Sequence, residues 1–112
     1  MSKFLKRKGY KILARNYRCP SGEADLIALD CSTRRRTGAQ TIALVEIKTR
    51  TSDAYTDPEA AVTADKRRRI RKVAEYYLSR RDAEGFNIRF DIVSIVAPGR
   101  GAPSIKHIPG AF

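Results

Sequence analysis

The sequence predicts an α/β domain built on a mixed sheet. Three observations carry that expectation. Three runs of strand character come first, the last of them the apolar "TIALVEIKTR" at 41–50. One long amphipathic helical stretch follows, and then another apolar alternating run, "FNIRFDIVSIV" at 86–96. Strands separated by a helix of that length are read as a sheet with helices packed on it. At 112 residues, 42% of them hydrophobic, the chain has material for a single domain, residues 1–112, with one small core.

The elements follow in chain order. Residues 1–8 read as a short helix ended by Gly9, and "YKILARNYRC" (10–19) as the first strand. "PSG" (20–22) is a turn, because serine and glycine accept conformations that other residues resist. "EADLIALD" (23–30) reads as the second strand, and the polar, basic "CSTRRRTGAQ" (31–40) as a loop. The third strand, 41–50, leads into a second loop, 51–57. Asp57, Pro58 and Glu59 make a helix start: a capping side chain, a first-turn proline and a first-turn acid. That helix is expected to run to about Asp82, before Gly85. The fourth strand spans 86–96, and "SIKHI" (104–108) a short edge strand.

Lys plus Arg number 23 against 12 Asp plus Glu, a net charge of +11. An excess of that size in a small domain points to a polyanion, most often nucleic acid. No apolar run approaches the roughly 18 residues of a membrane span, so no membrane partner is expected. "MSKFLKRKGY" lacks the apolar segment of a secretion signal. Cys19 and Cys31 do not make a disulfide framework, which fits reduced thiols and a cytoplasmic setting.

Why should a strand as apolar as "ALVEIKTR" (43–50) carry Glu46 and Lys48? Charges among apolar groups are costly unless paired, hydrogen-bonded or bound to a cation. Alternation puts Ile42, Leu44, Glu46, Lys48 and Arg50 on one face, and Glu23, Asp25, Ile27 and Leu29 on one face of the preceding strand. An antiparallel hairpin that matches Leu29 with Ile42 and Ile27 with Leu44 also brings Asp25 opposite Glu46, and Glu23 opposite Lys48. Two facing carboxylates either share a proton or bind a cation. Oxygen ligands of this kind, completed by water, suit Mg²⁺. A cation polarising a phosphate beside a lysine is the chemistry of phosphodiester hydrolysis. The bland alternative is a surface Glu23–Lys48 pair with Asp25 and Glu46 solvated at the sheet edge.

"GEADLIA" (22–28) followed by "LVEIKTR" (44–50) resembles the PD-(D/E)XK nuclease signature. With "GYKILARNYR", "PEAAVTADKRRRI", "RFDIV" and "HIPGAF", nearly the whole chain resembles the YraN-like family of uncharacterised bacterial proteins, predicted endonucleases related to archaeal Holliday-junction resolvases. The resemblance implies a restriction-endonuclease-like mixed sheet flanked by helices, with an α-β-β-β-α-β core. It implies Asp25 and Glu46 as ligands of Mg²⁺ or Mn²⁺, Lys48 as the catalytic lysine and Glu23 as an auxiliary acid. Relatives usually carry a longer first helix with a glutamate near its start, whereas "MSKFLKRK" has no acid.

"KRRRIRK" (66–72) holds six basic residues in seven positions. Helical spacing puts Val62, Thr63, Lys66, Ile70, Val73, Ala74, Tyr77 and Leu78 on the inward face and Arg68, Arg69 and Lys72 outside. Lys66, Arg67, Arg68, Arg69 and Lys72, with Arg34, Arg35, Arg36 and Arg50, are the candidate phosphate-binding residues. Lys66 either lays its stem along the core edge or reaches the site and contacts the substrate phosphate. Asp91 reads as structural, paired with Arg89 or a helix arginine. His107 reads as packing or solvent-facing, and Tyr10, Tyr17 and Tyr55 as packing residues by default.

The leading expectation is a Mg²⁺-dependent endonuclease acting on DNA, branched substrates included, for which a homodimer would suit a two-strand cut. The alternative is a non-catalytic nucleic-acid-binding module that retains the nuclease fold. A third reading is an assembly partner whose basic helix binds an acidic protein.

Overall fold

The computed structural model describes residues 2–33, 38–50, 63–81, 86–97 and 99–112. Among them run helix α1 (Ser2–Arg7), strands β1 (Tyr10–Cys19) and β2 (Gly22–Asp30), a 3₁₀ turn (Cys31–Thr33), strand β3 (Thr41–Arg50), helix α2 (Ala64–Ser79), and strands β4 (Asn87–Val96) and β5 (Ser104–Ile108). The five strands form one sheet in the order β1-β2-β3-β4-β5. The β3–β4 pair is parallel and the other three are antiparallel. A parallel pair needs a crossover between its strands, and α2 lies in that connection. This is the mixed sheet with helices that the sequence predicts, and it is compatible with a nuclease-like core.

The sheet is covered on both faces, which explains why β3 opens as an unbroken apolar run. On the α2 face, Ala24, Ile27, Ile42 and Leu44 pack against Val73, Ala74 and Tyr77. On the other, Leu26, Ala43, Val45 and Val93 pack around Leu5 of α1, which is fully buried. Fully burying side chains of this size stabilises by about 1.5–3 kcal/mol each. Gly22 ends the β1–β2 turn with φ +143°, and a Cβ there would lie 3.3 Å from Val73 Cγ2. A side chain there would require Val73 to give by a few tenths of an ångström, on a backbone conformation that suits glycine.

α2 differs from expectation at its start. Thr63 is its N-cap, with the hydroxyl accepting from Lys66 N at 3.2 Å, so Thr63 is exposed rather than inward. The Asp57–Pro58–Glu59 signal, Val62 and Tyr55 lie outside the described residues, as do Arg34, Arg35 and Arg36.

A second polar assembly is buried on the face away from α2. Arg89 Nε and Nη2 donate to the two Asp91 oxygens at 2.8 and 2.9 Å, Nη1 reaches Asp30 Oδ2 at 2.9 Å, and Nη2 reaches the Tyr10 hydroxyl at 2.6 Å. His107 Nε2 lies 2.8 Å from Asp91 Oδ2, and Gly110 N donates to Asp91 Oδ1 at 3.0 Å. Asp91 thus pairs with Arg89, and His107, 2% exposed at its side chain, is buried on Asp91. Because these residues come from β1, β2, β4 and the β5 segment, one saturated cluster ties the sheet's outer strands to its centre. Its physical logic is that buried charges persist when each is paired and hydrogen-bonded.

A candidate metal and phosphate site at the open end of the hairpin

The β2–β3 ladder runs from Asp30–Thr41 to Leu26–Val45 with Leu29 on Ile42 and Ile27 on Leu44. That is the register the apolar match predicts. It stops at Leu26. Beyond it Asp25 does not face Glu46 as a ladder partner; instead its carboxylate Oδ2 accepts from the backbone N–H of Ile47 at 2.8 Å. Two features explain the break. Asn16 of β1 has φ +49°, a left-handed residue of the kind asparagine tolerates, and it sits between the Arg15–Leu26 and Tyr17–Ala24 pairs. Ala24 and Leu26, two apart, also pack in opposite core clusters, so alternation reverses at Asp25.

The opening forms a cavity of about 500 Å³. Asp25 and Glu46 both line it, with Glu23, Arg18, Lys66 and Arg69 around them and Ala24, Val45, Ile70 and Val73 as its apolar wall. Glu46 Oε1 lies 3.0 Å from Lys48 Nζ and 4.0 Å from Lys66 Nζ. Lys66 thus reaches the site, with its ammonium near Glu46. Burial pulls the Lys48 ammonium down, but the Glu46 carboxylate beside it outweighs that and the net shift is upward. The Lys66 amine is held below the ordinary lysine value by the Lys48 ammonium next to it.

The Glu23–Lys48 pairing is not formed. Glu23 sits across the turn from Arg18 in β1 and pairs with it at 3.4 Å, both side chains largely exposed. The reason is the same break: with no ladder beyond Leu26, β2 turns Glu23 toward β1. Arg69 is exposed on α2, on the outer side as expected, and also lines the cavity. Arg67, Arg68 and Lys72 are exposed on α2, where Arg68 pairs with Asp65. Arg50 donates to Ser94 Oγ at 3.4 Å, at the end of β3 beyond Lys48. Tyr10 is committed to the buried cluster, and Tyr17 packs edge-on against Tyr77 at 5.2 Å. Arg18 escapes sequence reasoning; its one signal is its position just before the "CPSG" turn that carries Glu23.

Could these residues hold a cation? Among the described residues no three His, Cys, Asp or Glu side chains gather as a metal-binding group. Three carboxylates line the cavity: Glu23 is paired with Arg18, while Asp25 and Glu46 each have one oxygen engaged in a protein contact that the described residues supply. Hard oxygen donors in that number fit a Mg²⁺- or Mn²⁺-type ion that keeps several waters, and do not fit a closed zinc site.

A family model described as "Uncharacterised protein family UPF0102" matches residues 1–95. The chain is similar to the UPF0102 protein of Geobacter metallireducens, 44% identical over 109 residues, which cover 97% of this chain and 82% of that relative. It is similarly related to the UPF0102 proteins of Nocardia farcinica, at 42% over 111 residues with 99% and 81% covered, and Pelobacter propionicus, at 41% over 109 residues with 97% and 74% covered.

Proposed function

This chain belongs to the uncharacterised protein family UPF0102, and we propose that it is a Mg²⁺- or Mn²⁺-dependent endonuclease of the PD-(D/E)XK type acting on DNA in the cytoplasm. One observation carries the reading: Asp25, Glu46 and Lys66 line a single cavity beside a strongly basic helix, and Lys48 lies 3.0 Å from Glu46. Asp25 and Glu46 are the cation's ligands. The cation supplies Lewis-acid polarisation of the scissile phosphate. Lys48, fixed on the strand by its contact to Glu46, stabilises charge on the phosphoryl oxygens. Lys66 and Arg69 at the cavity, with Arg67, Arg68 and Lys72 along α2, hold the backbone of the substrate.

A second reading is a nucleic-acid-binding module without cleavage. Two observations favour it: α1 has no acidic residue to add a ligand, and the described residues offer two carboxylates rather than a larger acidic group.

Incubation of linear, flapped and branched DNA with the protein and Mg²⁺ separates the two. The nuclease reading expects cleavage that chelation stops and that Asp25→Asn, Glu46→Gln and Lys48→Met each reduce by at least about a hundredfold, in the range of losing one electrostatic stabiliser. Equal cutting by wild type and variants refutes it. Salt-sensitive binding with no cut on any substrate supports the binding module.

A further inference from the structure

Glu46 is approached by two ammonium groups that are held very differently. Lys48 is two residues along the same strand, at 3.0 Å, and only 26% exposed. Lys66 comes from the first turn of α2, at 4.0 Å, and is 41% exposed. Its stem is flexible, its ammonium is half in water, and an ion pair so exposed is weak. Asp25 and Glu46 are balanced by Lys48 and Lys66, and Glu23 by Arg18, while Arg69 at the same cavity leaves one positive charge in excess. A divalent cation added between the carboxylates raises that excess by two, and the more loosely held ammonium is the one to leave.

We propose that Lys66 is a displaceable counter-ion of Glu46. It neutralises the carboxylate until a divalent cation takes its place, and then turns its ammonium to a phosphate of the nucleic acid at the cavity rim. This inference rests on the metal-site reading above and adds to it a coupling. Cation binding frees a phosphate-binding group, so cation and nucleic acid strengthen each other's binding, by the same factor in each direction. Lys48 cannot play this part, because β3 fixes its backbone beside Glu46.

The test is Mn²⁺ affinity, measured by electron paramagnetic resonance on the full chain with and without a phosphorothioate oligonucleotide duplex. The expected result is that Lys66→Gln tightens Mn²⁺ binding to the free protein roughly two- to fivefold, as loss of an exposed ion pair allows. With the duplex bound, that advantage shrinks. Arg69→Gln, which removes an equal charge from the same cavity but no contact to Glu46 among the described residues, has a smaller effect. Glu46→Gln weakens Mn²⁺ at least about tenfold in the ordinary way of a lost ligand. If Mn²⁺ binding depends on Glu46 but Lys66→Gln leaves it unchanged or weaker, or Arg69→Gln matches Lys66→Gln, the counter-ion role is wrong and the metal site stands. If Mn²⁺ binding is absent or indifferent to Glu46, both fall together.

Discussion

The side chain of Asp25 accepts a hydrogen bond from the backbone of Ile47, one position beyond the last rung of the β2–β3 ladder. A carboxylate thus takes over a main-chain donor as the two strands separate. Asp25→Asn keeps an acceptor and should fold with near-wild-type stability. Asp25→Ala leaves the Ile47 N–H without one and should lose about 1–2 kcal/mol. Urea denaturation of the two variants checks this, and equal stabilities would contradict it.

Arg89 is the only cation shared by Asp91 and Asp30 among the described residues. Replacing it by methionine leaves the completely buried Asp91 with only His107 and the Gly110 N–H, and the expected loss is about 3 kcal/mol. The double variant Arg89→Met/Asp91→Leu removes the stranded charge and should recover part of that loss. Thermal or chemical denaturation of the three proteins measures it.

The same cluster sets the acid stability. Burial works to raise the Asp91 carboxyl, but His107, Arg89 and the Gly110 N–H together hold it below its ordinary 3.8. Asp30 is likewise lowered, with Ser32 and Arg89 outweighing burial. Groups depressed in the folded state contribute fully above the unfolded value and lose that contribution as pH falls through the folded one. Stability should therefore hold from about pH 7 to about pH 5 and fall steeply below about pH 4. In Asp91→Asn the deficit is largest at neutral pH and narrows as pH falls below the ordinary carboxyl value of 3.8. At the other end, burial pushes the Tyr10 phenol up to about 12. That contribution is complete below the ordinary value of 10.0 and is lost as pH rises toward 12. Burial also raises the Tyr17 phenol, and tyrosinate absorbance should show a phenol ionising at about 12 that Tyr10→Phe removes.

Much of this fold is legible in the chain. The strand at 41–50 and the edge strand at 104–108 stand where their composition puts them. The hairpin register follows from matching Ile27 with Leu44 and Leu29 with Ile42, because one face must be buried and a slip of one residue would invert it. The pattern fails where its assumption fails. Strict alternation assigns Glu23 to Lys48, but Ala24 and Leu26 pack in opposite core clusters, so the alternation ends at Asp25, opposite a left-handed Asn16 on the neighbouring strand. The Tyr10–Arg89–Asp91–His107 cluster was illegible as a whole, since it joins positions far apart in the chain whose spacing has no period. The helix cap at Thr63 was hidden by the stronger start signal at Asp57.

The exposed residues of α2 should differ in what they give to nucleic-acid binding. Arg68 is already paired with Asp65, whereas no ion pair holds Lys72 among the described residues. Lys72→Gln should lower the log–log salt slope for duplex DNA by about 0.9, one phosphate contact, and Arg68→Gln by less. Binding isotherms from about 50 to 200 mM salt give both slopes. A wild-type slope near zero would remove the case for a polyanion.

The account rests on two carboxylates, one from each strand of an opened hairpin, acting on the same ion. Crystals soaked in Mn²⁺ and measured for anomalous scattering test that directly. The expected result is one peak in the cavity within about 2.0–2.3 Å of an oxygen from Asp25 and one from Glu46, lost in Glu46→Gln crystals. A cavity without a peak at saturating Mn²⁺, or a peak bound by neither residue, would contradict it.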